Sequence, residues 1–101
     1  MHLVQILLPL RDNGGRDFPP ELYGGVRAAL KGRFGGMTAY SRAPAEGLWE
    51  DDGTTVHDDI MVLEVMAEEL DPAWWGNYRR ELEKAFKQDT VVVRAQHVTL
   101  L

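Results

Sequence analysis

Five side chains with ligand-binding chemistry lie at alternating positions of the predicted strands: Gln5, Tyr40, Glu64, Arg94 and Gln96. Successive side chains of a strand point to opposite faces, so all five are expected on the face turned away from the core. An arginine can bind an anionic group, and amide and phenol groups can orient it. We therefore predict a ligand site on this face, with Gln5 between Glu64 and Arg94.

Potential metal ligands are densest around His57, which lies among six carboxylates: Glu46, Glu50, Asp51, Asp52, Asp58 and Asp59. Carboxylate oxygens suit Mg²⁺ or Ca²⁺, and an imidazole suits a transition metal. The spacing matches no EF-hand loop, and the sequence has no H-x-x-x-H pattern. We interpret the group as a solvated acidic arm and predict no metal, no cofactor and no assigned catalytic residue.

The other two histidines lie near the ends of the chain. Alternation along the last strand places His97 on the inward face, where the strand frays, and we expect a structural or exposed role for it. We interpret His2 as a terminal residue.

Composition limits the classes of function open to the chain. Its 101 residues predict a single domain over residues 1–101, and the absence of cysteine excludes disulfides and thiolate chemistry. A net charge of −5 argues against binding to nucleic acid or to an anionic membrane. The first apolar run, residues 3–10, is too short to span a bilayer and has no basic residues before it, so we expect a strand and a cytoplasmic protein.

Apolar patterning predicts four main strands. Residues 3–10 and 60–66 are almost continuously apolar, which is typical of central strands. The stretch from Met37 to Met66 predicts a long hairpin that reverses at Asp52-Gly53 and bends near Pro44. A valine-rich last strand is predicted over residues 90–99.

Two helices are predicted between these strands. The first opens at Pro19-Pro20 and ends at Gly35. The second has Asp71 as its N-cap and Pro72 at its first position. Their predicted buried stripes are Leu22, Val26, Leu30 and Phe34, and Trp75, Tyr78, Leu82 and Phe86.

The element order β-α-β-β-α-β predicts an α+β fold of the ferredoxin-like type, with strand order 4-1-3-2 and both helices on one face. The opposite face would carry an apolar field. Large exposed apolar patches mark interfaces, so we predict a homodimer that buries this field. The predicted dimer contacts are Leu3, Leu7, Val62, Val92 and, on the hairpin arm, Trp49.

Short motifs add a resemblance to a known family. Gly47-Leu-Trp49 with Asp52-Gly53, and Phe86-Lys-Gln88 leading into a valine-rich strand, resemble the motifs of small bacterial ferredoxin-like proteins of unknown function. The layout is also similar to that of dimeric α+β barrel proteins. The resemblance implies the fold and a bacterial origin, and it implies no activity.

Two hypotheses of function follow from the predicted open face. The first is a homodimeric protein that binds a small anionic or amphipathic ligand there. The second is a small cofactor-independent enzyme, monooxygenase-like or isomerase-like, with a cavity over the same face. In that case Glu64 or His57 would act as the base, and Arg94 would stabilise developing negative charge.

Overall fold

A computed structural model describes residues 1–42, 50–51, 54–55 and 60–101, with the backbone alone for residues 40–42, 50–51 and 54–55. The described helices are α1 (Pro20–Phe34) and α2 (Pro72–Ala85). The described strands are β1 (His2–Pro9), β2 (Thr38–Arg42), β3 (Glu50–Asp51), β4 (Thr54–Thr55), β5 (Ile60–Ala67) and β6 (Val92–His97).

Four of these strands form an antiparallel sheet in the order β2-β5-β1-β6. This is the predicted strand order, so the α+β architecture with two helices and a four-stranded antiparallel sheet is confirmed. In the register of the sheet Gln5 of β1 is opposite Glu64 of β5 on one side and Arg94 of β6 on the other. A shift of one residue would exchange the two faces of β1, so burial of one face fixes the register.

The core lies between one face of the sheet and both helices. Val4, Ile6 and Leu8 of β1 are buried there, together with residues of α1 and α2. Phe86, just after α2, is fully buried and makes ring contacts with Phe18 and Tyr23. Neither helix is long and apolar enough to cross a membrane in the described part of the chain.

Helix α1 begins and ends as predicted, but its buried stripe is different. Gly35 adopts the left-handed conformation with φ of 79°, which a glycine accepts without strain, and so it ends the helix. Tyr23 is buried beside Val26 and Leu30, whereas Leu22 is only half-buried. The Tyr23 hydroxyl donates to the Pro9 carbonyl at 2.6 Å, which satisfies the polar end of this aromatic side chain.

Helix α2 starts at the predicted cap. The Asp71 side chain accepts a hydrogen bond from the Trp74 backbone N–H at 3.1 Å. Arg33 of α1 lies 3.7 Å from the Asp71 carboxylate and stacks over the Trp74 ring at 4.3 Å from its centroid. These contacts connect the end of α1 to the start of α2.

The hairpin is described only at intervals. Glu50 pairs with Thr55 and Asp51 with Thr54, which agrees with the predicted reversal between them. Asp52 and Gly53 themselves, the predicted bend at Pro44, and Trp49 lie outside the described residues.

The last strand is shorter than predicted, because its ladder spans only Val92–His97. Just before it, the Val91 backbone N–H donates to the Glu83 carboxylate of α2 at 2.9 Å. Arg79 donates to the same oxygen at 3.3 Å. Glu83 therefore joins α2 to the start of β6, a role that the i,i+4 spacing of Arg79 and Glu83 did not indicate.

Replacing Glu83 should destabilise the fold more than replacing Arg79. Glu83→Ala leaves the N–H of the buried residue Val91 without a partner, which costs about 1–3 kcal/mol. Arg79→Ala removes only the partly buried i,i+4 pair and keeps the bond to Val91, so we expect a loss of about 0.5 kcal/mol. Urea unfolding followed by circular dichroism measures both free energies of unfolding. Equal losses for the two variants would show that the Glu83–Val91 bond contributes nothing.

Candidate functional site

A chain of hydrogen bonds crosses the sheet on the face opposite the helices. Arg94 Nε donates to Gln5 Oε1 at 2.8 Å, and Gln5 Nε2 donates to Glu64 Oε2 at 2.6 Å. The strands β6, β1 and β5 thus bring a cation, an amide and a carboxylate into one row. Gln5 lies between Glu64 and Arg94, as the alternation predicted.

The amide separates the two charges and leaves part of each available. No direct ion pair joins Arg94 to Glu64, and within the described residues the two terminal nitrogens of Arg94 have no partner. Arg94 is exposed, and Glu64 is half-buried. Because a guanidinium has five N–H donors and only one is used here, Arg94 can still bind an anion.

The other two predicted ligand residues lie further from this row. Gln96 is exposed, two residues along β6 from Arg94, and is opposite Leu3. Tyr40 lies on β2 opposite Val62, one row away from Glu64, and its side chain lies outside the described structure. The structure therefore joins Gln5, Glu64 and Arg94 by hydrogen bonds and does not bring Gln96 into that network.

The apolar residues around the row are less exposed than predicted. Val92 and Met66 are 46% and 45% exposed, and Leu3 and Leu7 are half-buried. Val62, a predicted dimer contact, is only 1% exposed in the single chain, and its role as a contact stays a prediction. Val62 lies on an interior strand with Leu7 opposite it on one side and β2 on the other, whereas Val92 lies on an edge strand.

A cleft of about 390 Å³ lies away from this face, between the end of β1 and the start of α1. Its lining is mostly apolar, with two arginines and one aspartate at the rim. The lining residues are Leu10, Arg11, Asp17, Phe18, Pro20, Tyr23, Arg27 and Met61. It therefore contains none of the residues predicted to bind a ligand.

The structure pairs the two terminal histidines, which the sequence interpretation treated separately. His2 is opposite His97 in the β1–β6 register, and their ring centroids are 4.1 Å apart with the planes at 51°. His2 Nδ1 is buried and has no hydrogen-bond partner. The signal that could have found this pair was the antiparallel register of the first and last strands.

Loss of hydration lowers the pKa of His2 below its usual value of 6.5. The neighbouring His97 and the positive chain terminus lower this pKa further, and a hydrogen bond with the Glu68 backbone partly opposes them. His2 is therefore kept in its neutral form, in which a ring nitrogen can accept a proton or bind a metal.

No group of three or more histidine, cysteine, aspartate or glutamate side chains is placed to hold a metal among the described residues. His57 and the aspartates at 52, 58 and 59 lie outside them. The interpretation of the acidic arm accordingly stays a prediction.

No protein-family model matches the sequence, and no curated protein matches it. Solved structures do match its fold. A phage SAM lyase in complex with S-methyl-5'-thioadenosine is similar at 18% identity and a TM-score of 0.62, over 95% of this chain and 80% of that one. The same kind of enzyme in the apo state gives 17% identity and a TM-score of 0.60, over 94% and 78% of the two chains.

A single-substitution variant of CutA1 from Pyrococcus horikoshii OT3 is similar at 14% identity and a TM-score of 0.57. That match covers all of this chain and 86% of the other. At these identities the comparisons show a shared α+β fold and leave the chemistry to be argued from the residues.

The lowered pKa of His2 predicts a specific dependence of stability on pH. Below pH 6.5 His2 binds a proton more readily in the unfolded chain than in the folded chain. The free energy of unfolding should therefore fall as the pH drops from about 7 to 5. Urea unfolding at several pH values should show a smaller fall for His2→Gln than for the wild type. An identical pH profile for the two proteins would contradict this account of His2.

Proposed function

We propose that the protein is a ferredoxin-like domain that forms a homodimer through the open face of its sheet and binds a small anionic or amphipathic ligand beside Arg94. The observation that carries the proposal is the row Arg94–Gln5–Glu64, which presents a cation and a carboxylate on either side of an amide, on an apolar face.

The charges of this row are complementary to a second copy of the same row. Consider a twofold axis that is parallel to β1 and lies above Gln5 on the open face. This axis would place Arg94 of each copy over Glu64 of the other copy. Such an isologous interface brings each residue against the same patch of the partner. The charge arrangement thus favours a second copy over a partner of a single charge sign.

The apolar residues beside the row support the same occupant. Val92 and Met66 are large and nearly half exposed, on opposite sides of Leu3 and Leu7. Packing two such faces would remove these side chains from water, which stabilises association by about 25 cal/mol for each Å² buried. The predicted contacts at Leu3, Leu7 and Val92 stay part of the proposal, and Val62 would contribute little because it is already buried.

Arg94 has enough donors to serve both roles. One N–H is used by Gln5, and the remaining four can bind the partner's carboxylate and an anionic ligand group. Gln96 is exposed on the same strand and would orient the ligand. Tyr40 is opposite Val62, which is itself opposite Leu7.

A charge exchange tests the dimer. The wild type is expected to have about twice the chain mass of 11.4 kDa in light scattering. Arg94→Glu and Glu64→Arg should each weaken the dimer by tenfold or more, roughly, because each places like charges together. The variant with both changes should recover the dimer, because the complementary pairs are restored.

Lys84→Glu is the matched control, since it makes the same change of charge at an exposed position on α2. It should leave the mass unchanged. A wild-type protein that is monomeric at micromolar concentration, or a dimer that neither single change affects, would exclude this interface.

Ligand binding is tested with the amphipathic anion 1-anilinonaphthalene-8-sulfonate as a probe. Its fluorescence should rise on binding to the wild type, and Arg94→Ala should weaken the affinity about tenfold, as expected for a hydrogen bond to a charged group. Lys84→Ala should have no effect. Equal affinities for the wild type and Arg94→Ala would place the probe elsewhere, for example in the cleft beside Phe18.

An enzymatic role is the second candidate function. It is favoured by the row itself, because Glu64 is not neutralised directly by Arg94 and could act as a base beside a cation. The similarity of fold to a phage SAM lyase suggests SAM as the first substrate to try.

Incubation with SAM, followed by mass spectrometry for S-methyl-5'-thioadenosine, separates the two candidates. Turnover that is lost in Glu64→Gln and retained in His57→Gln would establish the enzymatic role. A dimer that binds the anionic probe and does not turn over SAM agrees with the leading proposal.

A further inference from the structure

We propose that the cleft between the end of β1 and the start of α1 binds a small aromatic carboxylate, with the ring in the cleft and the carboxylate on Arg27. Its volume of about 390 Å³ is in the usual range for small-molecule sites. The cleft is separate from the Arg94–Gln5–Glu64 row on the open face of the sheet, because its lining contains none of those residues. Binding here requires neither the dimer nor a ligand at that face.

Two aromatic rings that line the cleft are already held in place. The rings of Phe18 and Tyr23 pack against Phe86, which is fully buried, at centroid separations of 5.1 and 5.3 Å. The Tyr23 hydroxyl is also fixed by its hydrogen bond to the Pro9 carbonyl at 2.6 Å. Met61 lines the same cleft, and a thioether makes favourable contacts with aromatic rings. A planar ring can therefore pack here without a further loss of side-chain entropy.

The loop that forms one wall of the cleft is held by its own hydrogen bonds. The Asp12 side chain accepts from the backbone N–H groups of Gly14 and Arg16 at 2.8 and 2.9 Å. The Phe18 backbone N–H donates to the Leu10 carbonyl at 3.4 Å, which joins the two ends of the loop. The wall is thus formed before a ligand binds, and this lowers the entropic cost of binding.

The charges at the rim of the cleft favour an anion. Arg11 Nε lies 3.4 Å from the Asp17 carboxylate, so these two charges largely cancel. Arg27 is exposed and has no hydrogen-bond or ion-pair partner among the described residues. The rim therefore carries a net positive charge at Arg27. A carboxylate can accept two parallel N–H bonds from one guanidinium, which makes it well suited to this position.

Helix α1 lacks a side chain at a position beside the cleft. Pro20, Tyr23 and Arg27 line the cleft, and Gly24 is four residues from the first and three from the last, so it neighbours both on the helix surface. A Cβ atom placed at Gly24 would meet nothing within 4 Å, so the space beside it is open. Helical side chains lean toward the N-terminus, so a larger residue at this position would extend toward Pro20 and over the cleft.

A titration with 2-naphthoate, followed by ¹⁵N–¹H NMR on the intact chain, tests the site. A dissociation constant of about 1 mM is expected for a ligand of about 13 heavy atoms. The backbone resonances of Phe18, Tyr23 and Arg27 should shift. At the same concentration the uncharged 2-naphthamide should produce about a fifth of the change, because it lacks the charged hydrogen bond. Equal shifts with both compounds, or shifts confined to the open face of the sheet, would overturn the proposal.

Charge variants test the role of Arg27. Arg27→Gln should weaken 2-naphthoate binding about tenfold, as expected for the loss of a hydrogen bond to a charged group. Lys31→Gln is the matched control, since it removes one positive charge from an exposed position one turn further along α1. Arg94→Ala should also leave this binding unchanged, so the cleft and the sheet face are tested separately. Equal losses in Arg27→Gln and Lys31→Gln would contradict a contact with Arg27.

A pair of glycine variants tests the place of binding without removing a contact. Gly24→Leu should fill the cleft and abolish the shifts caused by 2-naphthoate. Gly25→Leu is the matched control, because it makes the same change at an exposed position about 100° further around the helix, with open space beside it. Leucine forms helix better than glycine, so both variants should stay folded. Retained binding in Gly24→Leu, or equal loss in both variants, would overturn the proposal.

Discussion

The structure depends on one constraint: β1 is paired on both sides and must bury one of its faces. Val4, Ile6 and Leu8 pack against the helices, so the residues between them are forced onto the other face. That alternation places Gln5 in reach of both neighbouring strands. The hydrogen-bonded row that carries the proposed function is therefore a direct consequence of how β1 is buried.

Much of this could be predicted from sequence because strong local signals agreed with one another. Proline and aspartate marked the starts of the helices, Gly35 marked the end of α1, and apolar runs marked the interior strands. Together they determine the strand order, and with it the position of Gln5 between Glu64 and Arg94. Proline, a capping aspartate and glycine each suit only a few backbone conformations, so each of them indicates its local structure clearly.

The features that sequence did not predict depend on contacts between distant elements. Glu83 has ordinary i,i+4 spacing, and only the approach of β6 gives its carboxylate a backbone partner. Val62 follows the same alternation as Val92, yet it is 1% exposed whereas Val92 is 46% exposed, a difference that alternation alone does not indicate. The His2–His97 pair needs the exact register of the chain ends, which no local pattern contains.

Isotope-filtered NMR on an equal mixture of labelled and unlabelled protein tests the central claim most directly, because it detects contacts between copies only. We predict intermolecular NOEs from the methyl groups of Val92 and Met66 to those of Leu3 and Leu7 in the other copy. A protein that shows none, or shows them only from residues of α1 and α2, would contradict association through the open face of the sheet.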